Sequence, residues 1–100
     1  MKSMKLNTEG LSANNLDNLQ KYFKFYKIFP DENGNVPIKF NTLQMVVMFS
    51  KNNSNASKLL KDNEELICAI LSNTKLNNSQ RSFIKFVDNK FINAVLTLTT

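Results

Sequence analysis

Gln80, Arg81, Ser82 and Lys85 lie in a stretch that also carries Phe83, Ile84, Val87 and Phe91. A helix starting near Asn77 turns the apolar set inward and leaves the polar set in solvent. An amide, a guanidinium, a hydroxyl and an ammonium on one outward face can bond base edges and neutralise phosphates, as a helix entering a DNA major groove must. Lys75, Asn78, Ser79 and Lys90 extend this candidate surface to both ends of the helix. Each residue also has a plain structural use. Basic residues four apart line the wet face of many helices, and capping is the favoured role for Asn77 or Asn78.

Other chemistry has fewer residues to work with. The chain of 100 residues contains no histidine and one cysteine, Cys68, which excludes an internal disulfide, the usual metal sites and histidine-based acid-base or nucleophilic catalysis. Cys68 falls among Leu66, Ile67, Ala69 and Ile70 with no nearby base to form a thiolate, so it reads as a small core residue. The expectation is a protein that is not an enzyme and takes no cofactor, metal or small-molecule substrate.

The 13 basic residues, Arg81 being the one arginine, exceed eight acids to give a net charge of +5. No acid occurs between Gly34 and Lys61, and beyond Leu66 only Asp88 opposes Lys75, Arg81, Lys85 and Lys90. A field of this sign favours a polyanionic partner and speeds its capture. A lysine- and asparagine-rich composition also follows from an AT-rich genome and a solvated surface, so charge alone does not decide the function. No run approaches the roughly 20 apolar residues of a membrane span, and the polar start lacks the apolar stretch of a secretory signal. A cytoplasmic protein without a membrane partner is expected.

Positioning the candidate residues requires a set of helices. Residues 1–10 read as a flexible N-terminal arm on which Met4 and Leu6 can pack, and residues 11–100 as a single domain. Leu16, Leu19, Phe23 and Tyr26 recur at three- and four-residue spacing, which predicts a helix from Leu11 or Ser12 to about Ile28, capped by Ser12 or Asn14. Pro30 then stops it, and Asn33-Gly34 supplies a turn. The ring-rich run 22–29 also fits a strand paired with residues 36–40, although the periodicity favours helix.

Asn41 or Thr42 caps the next helix, whose Leu43, Met45, Val46, Val47, Met48 and Phe49 are apolar nearly all round and place it centrally. A polar loop over 51–55 leads to a short helix over 56–61 with Leu59 and Leu60 inward. Asp62 or Asn63 caps a helix over 64–71 that buries Leu66, Ile67, Ile70 and Leu71. Following the helix that begins near Asn77, residues 91–99 are β-branched and partly alternating, and read as a strand paired with residues 36–40.

The order of residues 64–71, the break 72–76, the helix from 77 to 90 and the apolar pair Phe91-Ile92 resembles the winged helix-turn-helix DNA-binding domains of small bacterial repressors and of plasmid replication or partition proteins. In that family such a pair begins the wing just after the recognition helix. The resemblance implies a mainly α domain with a small β element, binding duplex DNA in transcription regulation or in plasmid or phage replication and partition. The aromatic residues add a second surface. Tyr22, Phe25, Tyr26 and Phe29, with Phe23, put rings on several sides of one helix, which suggests a homodimer that would present two recognition helices to two half-sites. The other function class is a small helical protein-binding module, such as a phage-encoded inhibitor or an immunity protein acting on a host protein.

Overall fold

Val36 does pair with another strand, but its partner comes from the opposite end of the chain to the one expected. In the computed structural model, which describes residues 2–87 and 89–99 and the side chains of all of these except Thr99, strand β1 (Ser3–Lys5) runs antiparallel to β2 (Asn35–Pro37). Met1 of the expected arm, Asp88 and Thr100 lie outside the described residues. Met4 stands opposite Val36, and Leu6 just beyond is buried, so the apolar residues of the arm pack as an extended segment.

Helix α1 (Ala13–Phe25) starts at Ser12, whose Oγ accepts a hydrogen bond from the Asn15 N–H at 3.1 Å. Leu19 and Phe23 fill the core from its inner face. The helix ends short of Ile28, and the cause is local. Lys27 adopts a left-handed φ of 56°, its N–H bonds the Lys24 carbonyl and the Ile28 N–H reaches back to the Phe23 carbonyl. This paired closure satisfies the last carbonyls and returns the buried Ile28 to Phe23. Thus helix termination precedes Pro30. In the turn that follows, the Asp31 carboxylate accepts from the Asn33 and Asn35 N–H groups and from Asn35 Nδ2, and Gly34 takes a φ of 82° that side-chain-bearing residues rarely adopt. Those bonds, chiefly the one from the Asn35 side chain, hold the Asp31 carboxyl below its ordinary range.

Helix α2 (Phe40–Asn52) is the centre of the molecule, as its all-round apolar character implies. Its Leu43, Met45, Val46, Val47 and Phe49 are buried, and it packs against α1, the short α3 (Ser57–Asp62) and α4 (Glu64–Asn73). Neither Asn41 nor Thr42 caps it. The helix begins two residues earlier than that role needs, and Lys39 occupies the cap position without a side-chain bond, while Thr42 is fully buried in the first turn.

Asn63 stands at the start of α4 as expected but does not use its side chain as a cap. Its buried amide turns instead to the N-terminal segment: Oδ1 accepts from the Asn7 N–H at 2.8 Å, and Nδ2 donates to the Asn7 carbonyl at 2.8 Å and to the Leu59 carbonyl at 2.7 Å. One side chain thereby joins the arm to the α3–α4 junction.

The expectation for residues 91–99 is overturned. They belong to helix α6 (Lys90–Thr99), which follows α5 (Asn78–Val87) and packs on both α4 and α5. Asn89 caps it, its Oδ1 accepting from the Ile92 N–H at 3.1 Å. Phe91, Ile92, Val95 and Leu96 are spaced one, three and one, which makes a single stripe at helical period, and Ile92 is buried on it. The β propensity of the segment loses to that stripe, because α4 and α5 present an apolar surface that a helix can cover. Residues 36–40 therefore receive no C-terminal partner. Among the described residues the fold is six helices and one two-stranded sheet, and none of those helices is long and apolar enough to cross a membrane.

Candidate nucleic-acid interface

The start of α5 is fixed by a reciprocal pair. The Gln80 N–H donates to Asn77 Oδ1 at 2.8 Å, and the Asn77 N–H donates to Gln80 Oε1 at 3.0 Å. Such a capping box satisfies two backbone donors and sets the rotation of the helix. Ile84 is buried, Val87 is half-buried, and the half-buried Phe83 ring meets Phe40 edge-to-face at 5.9 Å between centroids. These inward contacts leave Asn78, Ser79, Ser82 and Lys85 exposed.

Lys75 before the helix and Lys90 after it are exposed as well, so six of the eight residues expected at the surface reach solvent. Gln80 and Arg81 are half-buried, and the Gln80 amide is held in the cap. No acid lies within α5. Among the described residues the one ion pair is Lys58 to Asp62 at 2.9 Å on α3, and none joins an acid to Lys51, Lys75, Lys85 or Lys90.

One member of this face was not anticipated. Phe86 is 68% exposed and lies on the outward stripe with Ser79, Ser82 and Lys85. The three- and four-residue steps from 79 to 82 to 86 carry that information, but an aromatic residue is ordinarily assigned inward. Lys51, at the end of α2, places its Nζ 4.4 Å from the Phe86 ring centroid. This pairing is tertiary and leaves no trace in residue spacing.

Beside that ring the surface continues as two adjoining grooves that share Ser57, Leu60 and Asn89. One, of about 400 Å³, is edged by Lys61, Glu64 and Lys90; the other, of about 270 Å³, is edged by Lys51 and Val87. Lysines from α2, α3 and α6 thus surround the C-terminal end of α5.

No protein-family model, no curated protein and no solved structure matches the chain.

The aromatic residues expected at a dimer interface divide between two surfaces. Tyr22, Phe25 and Tyr26 line one groove of about 460 Å³ with Lys21, Met48 and Asn52. Phe29 lies on another with Gln20, Phe23, Lys24, Ile28 and Pro30. The first group is itself packed: Tyr22 meets Phe49 edge-on at 5.3 Å and Phe25 meets Tyr26 at 5.0 Å. Burial, with Tyr22 nearby, pushes the Tyr26 hydroxyl above its ordinary pKa. Phe25 and Phe29 remain 78% and 76% exposed. Cys68 is half-buried on α4, next to the buried Leu66, Ile67 and Ile70.

Proposed function

We propose that the chain is a small non-catalytic DNA-binding protein, a regulator of transcription or of plasmid or phage replication and partition, which holds DNA against the outer face of α5. The observation that carries this reading is the composition of that face: exposed Asn78, Ser79, Ser82 and Lys85, with exposed lysines at both ends and no acid in the helix. Hydroxyl and amide groups can meet bases and sugars while the lysines meet phosphates. The order of α4, break and α5 along the chain is that of a helix-turn-helix, with α6 following where a wing strand would begin.

Lys75→Ala combined with Lys85→Ala tests it, because both side chains are exposed and neither is part of the core. The expected outcome is weaker binding to every DNA sequence, with the salt slope reduced by about one for each phosphate that is no longer neutralised. An unchanged slope at unchanged thermal stability removes α5 from the interface.

A second reading, a protein-binding module of the inhibitor or immunity-protein kind, is favoured by the exposed Phe25 and Phe29. The same two surfaces would serve a homodimer. Rings of this kind bind through apolar contact, so association by that route is insensitive to salt.

A further inference from the structure

We propose that Phe86 is a base-stacking platform, so that the α5 face takes single-stranded DNA in preference to duplex; this rests on the DNA-binding reading above. Phe86 is 68% exposed in the middle of a polar and basic stripe, where a ring gains little from the core. One contact to it is already made: the Lys51 ammonium sits 4.4 Å from the centroid. A cation over a ring prefers the ring's negative face, and Phe86 keeps 68% exposure alongside that contact, surface on which a flat partner can pack. An unpaired base is flat, apolar on its faces and attached to a phosphate, which Lys51 and the neighbouring exposed Lys85 can neutralise.

A duplex offers less to this arrangement. Its bases are stacked on each other, and their faces are closed to a side chain unless the helix is opened. In the major groove a bulky ring on the reading face can touch a thymine methyl but makes no hydrogen bond. Of the two forms of DNA, the single strand therefore uses both features found here, the ring and its paired cation.

The chain contains no tryptophan, so Phe86→Trp introduces a unique fluorophore at an exposed position. Binding of a thymidine oligonucleotide should quench that fluorescence, while a duplex oligonucleotide of equal phosphate count should leave it nearly unchanged. Phe86→Ala should weaken single-strand binding by about 5- to 160-fold, the range for removal of one base-aromatic stack. Its duplex affinity and melting temperature should stay as in the unaltered chain. Equal quenching by both forms, or salt-dependent binding that Phe86→Ala leaves untouched, overturns the stacking role and spares the DNA-binding reading. Absence of binding to either form at low salt overturns both.

Discussion

Ile92→Ala should destabilise the domain by about 3 kcal/mol, whereas Leu98→Lys should change its stability by no more than about 0.5 kcal/mol. Ile92 is 1% exposed and Leu98 is 86% exposed, yet the two are separated by an even number of residues. In a strand they would share one face. In α6 they fall on different sides, because the stripe facing α4 and α5 is Phe91, Ile92, Val95 and Leu96. Emptying the Ile92 site loses the transfer free energy of the removed methylenes and leaves a cavity that neighbouring helices only partly close. Urea unfolding of both variants decides the matter. Comparable losses at the two positions would restore the strand and remove the helix that docks α5.

Asn63→Ala should cost about 3 kcal/mol, more than removal of an ordinary hydrogen bond, because it strands several partners at once. The backbone N–H and carbonyl of Asn7 and the carbonyl of Leu59 all depend on this one buried amide. Asn63→Asp keeps the size and the acceptor for the Asn7 N–H but turns a carboxylate oxygen toward two carbonyls in place of their donor. The two variants should therefore lose similar stability, and both should loosen β1 from β2, which thermal unfolding and amide exchange at Met4 can follow. Wild-type stability in Asn63→Asp would mean that the amide nitrogen does not make its two bonds.

The helices are legible in the sequence where a periodic apolar face and a cap coincide. The first helix shows Ser12 and the Leu19–Phe23 spacing, the central helix its apolar character on every side, and α4 its run of Leu66, Ile67, Ile70 and Leu71. The start of α5 is legible through Asn77, whose capping role follows from its side chain. What cannot be read depends on partners distant in the chain, apart from the end of α1, which is local. The end of α1 is set by Lys27 entering the left-handed region, which nothing in a lysine announces. Asn63 looks like a helix cap until Asn7 is beside it. Residues 91–99 have the composition of a strand, and only the apolar surface offered by α4 and α5 selects the helix. The candidate site divides in the same way: the polar and basic residues of α5 are visible from their spacing, while Phe86 acquires its meaning from Lys51 on another element.

The most direct measurement is the dependence of DNA affinity on salt, made with single-stranded and duplex oligonucleotides between about 50 and 200 mM. Lys51, Lys75, Lys85 and Lys90 are exposed around α5, and neutralising about four phosphates corresponds to a log–log slope of about −3 to −4. Affinity should then fall about a hundredfold across that range. No binding at low salt, or an affinity that does not change with salt, would contradict a basic α5 face acting on DNA and leave the exposed aromatic surfaces as the binding sites.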